Sequence, residues 1–273
     1  MHEKYTVALI HDVFHDDPEG GRLHERLAEA RRRGAALAVL PELPLNPWSM
    51  ATPQAVDTDA EPPGGPRQEL QASTCARVGI ALLGGAIIRD PQTRVRTNTA
   101  LLIDRVGRTV ATYQKVHLPQ EPGFWEENHY QPGRKAPRVL RNLGPALGIQ
   151  ICSDANRLVG GHVLAAQGAQ VILAPRCTSA ASYEEWRLVY QALALTTGSF
   201  VVSVNRPGPE FGVAIGGPSL VVAPDGKPML ESGDAVSVVT LDLARVARAR
   251  TEYPGYLGFP ASVYAEAWRE LQD

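Results

Sequence analysis

Cysteine is scarce in this chain, with only Cys75, Cys152 and Cys177 among 273 residues. Three scattered thiols exclude a disulfide framework, and none has the Cys/His spacing of a zinc site. No uninterrupted apolar run approaches the roughly 18 residues of a membrane-spanning helix. Charge of one sign is not in excess: 27 Lys and Arg against 29 Asp and Glu leave a formal net charge of −2. That balance offers no electrostatic footprint for nucleic acid or for an acidic membrane surface. Residues 1–4 run straight into a strand-like stretch, leaving no room for a secretory signal. No glycine-rich phosphate loop is present, and the pairs Gly84-Gly85, Gly160-Gly161 and Gly216-Gly217 fit turns or close backbone approach. These absences point to a cytoplasmic protein with reduced thiols and no nucleic-acid or membrane partner.

What is present is a regular alternation. A hydrophobic content of 44% is enough for a sizeable core. The apolar pattern predicts strands over 5–10, 37–40, 80–88, 99–103, 110–114, 146–151, 171–174, 200–205, 219–222 and 236–241. Helices are predicted over 21–33, 68–78, 158–167 and 183–197, with loops over 41–66 and 119–137. Strands alternating with helices predict an α/β layered fold. Gly107 supplies a turn between two of the strands, so hairpins make the sheets mixed. No composition shift marks a boundary and no internal repeat is visible, so residues 1–273 read as one domain. From about residue 244 to 273 runs a tail of two short helices around a Pro/Gly-containing linker.

Three apolar runs each end in one reactive group. Leu37-Ala-Val-Leu-Pro-Glu42 ends in a carboxylate, the stretch through Tyr113-Gln-Lys115 in an ammonium, and the run over 139–151 in the thiol of Cys152. Strand ends deliver side chains to a shared cleft. A carboxylate base, a cation for developing negative charge and a thiol nucleophile together suffice for acyl transfer. Lys115 is expected to stabilise the Cys152 thiolate, making that thiol more reactive than Cys75 or Cys177, which read as packing residues.

With these residues in view, the sequence resembles the nitrilase superfamily of carbon–nitrogen hydrolases over about residues 5–243. The resemblance rests on Leu40-Pro-Glu42, Tyr113-Gln-Lys115-Val-His117-Leu and Gly148-Ile-Gln-Ile-Cys152-Ser-Asp154, in that order. Thr97-Asn-Thr99, Gln167-Gly-Ala169, Pro224-Asp-Gly226 and Pro122-Gly-Phe-Trp-Glu126 extend it. The resemblance implies a four-layer α-β-β-α sandwich of two mixed sheets. It also implies subunits that associate as homodimers or higher homo-oligomers, often with help from C-terminal segments such as the 244–273 tail. Chemically it implies Cys152 as nucleophile, Glu42 as general base and Lys115 as oxyanion partner, with the backbone N–H of Ser153 as a second donor. Glu126 would be a second carboxylate that orients the substrate amide, positions Lys115 or helps activate water. No metal or organic cofactor is required.

The substrate implied is a small-molecule amide or N-carbamoyl compound. Ser153 stands where relatives often carry an aromatic residue, and the Cys-Trp-Glu-Asn run of true nitrilases is missing, which favours an amidase. Trp125 beside Phe124 would form one pocket wall and Tyr130 another. Arg176 is placed to grip a substrate carboxylate, or else to face solvent. Glu127 is the register alternative to Glu126, but the spacing to Tyr130 and Pro132-Gly133 favours Glu126. His117 is read as packing near Lys115 rather than as a partner of Cys152. Competing readings are an acyl transferase that hands the thioester to an amine, and a catalytically silent binding member of the same fold.

Overall fold

Alternate residues of the first strand face two different interiors. In β1 (Lys4–Ile10), Val7 and Leu9 join one apolar cluster while Ala8 and Ile10 join another. The two-residue period of a strand thus makes this sheet a partition with a core on each face. The computed structural model describes residues 4–271. After β1 come α1 (Gly21–Arg32), β2 (Leu37–Val39), the short β3 (Ala60–Glu61) and α2 (Pro66–Val78). Three consecutive strands follow, β4 (Ala81–Arg89), β5 (Arg96–Ile103) and β6 (Thr109–Gln114). A small hairpin, β7 (Gln120–Glu121) and β8 (Phe124–Trp125), leads into the one-turn helix α3 (Glu126–His129). The second half comprises β9 (Leu147–Ile149), α4 (Leu158–Ala166), β10 (Val171–Arg176), α5 (Tyr183–Thr197), β11 (Phe200–Asn205), β12 (Ser219–Val222) and β13 (Pro228–Ser232). The strand β14 (Val236–Asp242) then returns to β1, followed by α6 (Ala244–Ala249) and α7 (Ala261–Glu270).

One sheet runs β14-β1-β2-β4-β5-β6, with β3 also paired to β4, and the other runs β13-β12-β11-β10-β9. Leu9, Val39 and Leu83 of the first meet Ile149, Leu173 and Val202 of the second in a shared core. On the outer face of the first sheet, Leu23, Leu27 and Cys75 of α1 and α2 pack against Ala8, Ala38 and Leu82. On the outer face of the second, Leu164, Tyr190 and Leu193 of α4 and α5 pack against Ile172, Val201 and Leu220. The architecture is the expected α-β-β-α sandwich of mixed sheets.

Connectivity reveals a repeat that the residues conceal. β1-β2-β4 are parallel and β4-β5-β6 antiparallel; β9-β10-β11 are parallel and β11-β12-β13 antiparallel. Each half is therefore βαβα followed by three strands in succession, although the sequence shows no repeat. The strand β13 is absent from the sequence reading because Pro228 opens it and its residues are mostly half-buried. It lies at a sheet edge, where proline is tolerated. The predicted loop over 119–137 contains the β7–β8 hairpin and α3, both too short to carry a periodic signal.

Gly84-Gly85 shows what close approach means here. The amide of Gln71 on α2 occupies the space a side chain at residue 84 would need. Gln71 accepts from the Gly85 N–H at 3.0 Å and donates to the Gly85 carbonyl at 3.2 Å. The tail behaves differently from the layers, since every residue of α7 is exposed. Among the described residues no helix is long and apolar enough to cross a membrane.

Candidate active site

Four strand or loop ends converge on one buried cluster. Glu42 follows β2, where Pro41 carries the chain off the sheet, and Lys115 directly follows β6, its N–H held by the Asn98 carbonyl at 2.9 Å. Glu126 opens α3, and Cys152 opens a 3₁₀ turn just beyond β9. Their exposures are 2%, 1%, 1% and 3%, so the whole cluster is withdrawn from solvent. Lys115 Nζ donates to Glu42 Oε1 at 2.7 Å and to both oxygens of Glu126, at 2.6 and 2.7 Å. Asn98 adds a second donor to Glu42 Oε1 at 2.7 Å, and Tyr130 donates its hydroxyl to Glu126 Oε2 at 2.6 Å. Glu42 Oε2 is buried and takes no hydrogen bond from the described residues.

The charges in this cluster are unbalanced by design. Burial would strip the proton from Lys115, but Glu126 and Glu42 outweigh it and hold the ammonium charged well above the ordinary lysine range. Burial pushes the Glu126 carboxyl up to about 7; Lys115 opposes that rise and Glu42 adds to it. Cys152 is driven well above the ordinary thiol range, first by burial and then by Glu42, with Lys115 only partly offsetting them. Lys115 favours the thiolate, as expected, but burial and Glu42 outweigh it. Lys115 is already claimed by two carboxylates, and a thiolate would add a further negative charge to a site with one cation. A thiol in this state acts as a nucleophile only where a base beside it takes its proton. Glu42 Oε2 is an acceptor with its lone pairs unspent.

The turn that carries Cys152 is strained and pinned. Cys152 has φ 48°, in the left-handed region, which costs a non-glycine residue about 1–3 kcal/mol and persists only where the surroundings over-determine it. Asp154, 1% exposed, supplies that restraint. Its Oδ2 accepts from the Ile151 N–H at 3.2 Å and the Tyr113 hydroxyl at 2.9 Å. Its Oδ1 accepts from the Val116 and His117 N–H groups, at 3.1 and 2.9 Å, and pairs with His117 Nδ1 at 2.9 Å. One carboxylate thus ties the turn of Cys152 to the segment just after Lys115. His117 is occupied there and stands apart from any Cys–His pair.

The remaining candidates separate clearly. Ser153 is half-buried beside the nucleophile, its hydroxyl donating to the His117 carbonyl. Tyr130 is buried as a ligand of Glu126 rather than as an open wall, and Trp125 is half-buried on β8 immediately before Glu126. Glu127 is exposed, which separates it from Glu126 in the register question. Arg176 is fully buried: it donates to Ser203 Oγ at 3.0 Å, to Thr178 Oγ1 and to the Pro218 carbonyl at 2.6 Å, with the rings of Tyr183 and Tyr190 beside it. It does not face solvent, and three of its five N–H groups are engaged by these partners. Cys177 is buried within the site wall, and its carbonyl accepts the Cys152 thiol at 3.6 Å. Sequence reasoning had no role for Asn98 or Asp154, although both lie within quoted motifs, because a buried acceptor network leaves no trace in periodicity.

Comparisons with known proteins find resemblances in sequence and in fold. A family model described as carbon-nitrogen hydrolase matches residues 14–251. A hydrolase of Mycobacterium tuberculosis is 30% identical over 241 residues, covering 81% of this chain and 83% of that protein. An N-carbamoylputrescine amidase of Solanum lycopersicum is 28% identical over 171 residues, 56% of this chain, and the match spans only 57% of that protein's length. The solved structure of an amidase from Nesterenkonia sp. superimposes with TM-score 0.75 at 26% identity, covering 97% of this chain and 96% of that one. A glutamate-to-glutamine variant of that amidase carries the acetamide moiety of fluoroacetamide covalently on its active-site cysteine.

Proposed function

We propose, from the premise that this chain belongs to the carbon–nitrogen hydrolase family, that it is a cysteine-dependent amidase cleaving a small-molecule amide or N-carbamoyl group. The observation that carries the proposal is the buried Glu42–Lys115–Glu126 network beside a thiol held on a strained turn. The substrate carbonyl oxygen is received by Lys115 Nζ and the Ser153 backbone N–H. Cys152 Sγ bonds to the carbonyl carbon as Glu42 takes the thiol proton. Negative charge on the oxygen is met by preorganised donors in a site without bulk water. Glu42 returns the proton to the departing nitrogen, the C–N bond breaks, and ammonia or an amine leaves an acyl-thioester. Water then adds to the thioester as a carboxylate takes its proton; the C–S bond breaks, that proton passes to the sulfur to restore the thiol, and the free acid leaves. Glu126 keeps Lys115 in place while the ammonium turns one of its three N–H groups from this carboxylate to the substrate oxygen.

The Pro122–Glu126 segment and the amidase names among the relatives favour amide or ureido substrates, taken up in the cytoplasm where all three thiols stay reduced. The test is mass spectrometry of the protein incubated with a panel of amides, N-carbamoyl compounds and nitriles. An adduct on Cys152 together with released ammonia or amine is expected. A native protein that releases neither, or a Cys152→Ala variant that turns over normally, would sink the reading. Release of an acylated amine in place of the free acid would favour acyl transfer over hydrolysis. For assembly we propose a homodimer or higher homo-oligomer in which the tail meets a second copy, because Phe259, Val263, Tyr264 and Trp268 stand exposed along it.

A further inference from the structure

We infer that Arg206 is a positioning residue, clamping the backbone of the general base through a guanidinium that never meets substrate. The inference rests on the role given to Glu42 above. Arg206 follows β11 and is fully buried. Its Nη1 donates to the carbonyls of Glu42 and Leu43, at 2.9 and 2.7 Å, and its Nη2 to the Asn46 carbonyl at 3.0 Å. Glu210 holds the guanidinium from the other side, accepting from Nε at 2.8 Å and from Nη2 at 2.7 Å. Trp48 completes the clamp. Its ring stacks 5.6 Å from the guanidinium, its N–H donates to Glu210 Oε2 at 3.2 Å, and its indole N–H donates to the Gly123 carbonyl at 2.9 Å.

What the clamp restrains is a strained backbone. Leu43 has φ 49°, a left-handed conformation that a leucine does not hold unaided. Arg206 grips the carbonyls on either side of that residue's N–H and Cα. It thereby fixes the direction in which the preceding side chain leaves the backbone. Glu42 Oε1 is then held by Lys115 and Asn98, and Oε2 stays unengaged. Were Leu43 to relax, the carboxylate would turn and present the wrong oxygen to the thiol. A planar fork can reach three carbonyls and a carboxylate at once, whereas an ammonium cannot. The sequence offers the pair only as Arg206 and Glu210, four residues apart in a Pro/Gly-rich loop.

The test is a double-mutant cycle on amide turnover with Arg206→Lys, Glu42→Gln and the two combined, alongside a crystal structure of Arg206→Lys. Arg206→Lys is expected to lower kcat about 100-fold, as for a catalytic group displaced by about an ångström, with KM little changed. In the Glu42→Gln background the same substitution should cost nothing further, because the base it positions is already gone. The crystal structure should show Leu43 out of the left-handed region and Glu42 turned from Lys115. If Arg206→Lys does not fold, by circular dichroism, Glu210→Gln takes its place in the cycle, with a smaller loss in kcat and the same non-additivity. Equal losses in the native and Glu42→Gln backgrounds, or an unmoved Glu42, overturn the clamp and leave the amidase reading standing. A Glu42→Gln variant with native turnover, or a native protein inert toward the whole panel, overturns both together.

Discussion

At the scale of single residues the deciding quantity is where one proton sits. Cys152 is held as a thiol by burial and by Glu42, so its nucleophilicity depends on a base and not on a resting thiolate. Cys152→Ala should abolish turnover while leaving the thermal midpoint near that of the native protein. Glu42→Ala and Lys115→Ala should each lower kcat by about two orders of magnitude or more, measured by ammonia release. Glu126→Gln should be far more damaging than Glu127→Gln, since the first carboxylate grips Lys115 through both oxygens and the second is exposed. Near-equal effects would place the second carboxylate elsewhere. The pH profile follows from the same group. With its carboxyl pushed up to about 7, Glu126 is ionised above that pH and protonated below it. Protonation removes the charge that fixes Lys115, so kcat should rise through about pH 7 and flatten above it. The Glu126→Gln variant should lose that limb of its residual profile.

At the scale of elements the strained turn after β9 is held by a single side chain. Asp154→Asn keeps the volume but replaces one acceptor oxygen with an NH₂ facing donors. The N–H of Ile151 and the Tyr113 hydroxyl would be left without their acceptor. A loss of about 1–3 kcal/mol in denaturant unfolding is expected, as for buried donors left unsatisfied, together with a fall in kcat. Unchanged stability would mean that the turn is held by its packing alone. Most elements were legible beforehand because their signal is local. The helix over Tyr183–Thr197 and the strands Phe200–Asn205 and Ser219–Val222 have the predicted boundaries. The β7–β8 hairpin and α3 were not legible, being two to four residues long. Their conformation is set by contacts distant in sequence, such as the Trp48 indole on the Gly123 carbonyl.

At the scale of the whole molecule the two βαβα-plus-strands halves face each other through one apolar layer, and the reactive groups come from both. Glu42 and Lys115 follow strands of the first half, Glu126 follows the β7–β8 hairpin between the halves, and Cys152 follows the opening strand of the second. Neither half alone carries a complete site. Val263, Tyr264 and Trp268 of α7 are each more than half exposed. On the assembly proposed above, the full chain should sediment as a dimer or larger in analytical ultracentrifugation, and truncation after residue 252 should leave a monomer. A truncated chain that keeps the larger sedimentation coefficient, or a full chain that sediments as a monomer, would overturn assembly through the tail.

The sequence by itself determined the layered α/β class, the order of the long elements and the three strand-end groups Glu42, Lys115 and Cys152. Those features depend on local periodicity and on residue chemistry at the ends of apolar runs. Only the tertiary structure decided that Lys115 is shared between two carboxylates, and that Cys152 rests as a thiol on a left-handed turn. It likewise decided that Arg176 is buried inside the chain, and that Arg206 reaches back to the backbone of Glu42 across 164 residues. Protonation and engagement depend on which groups are brought within hydrogen-bonding distance away from water, and no spacing along the chain encodes that.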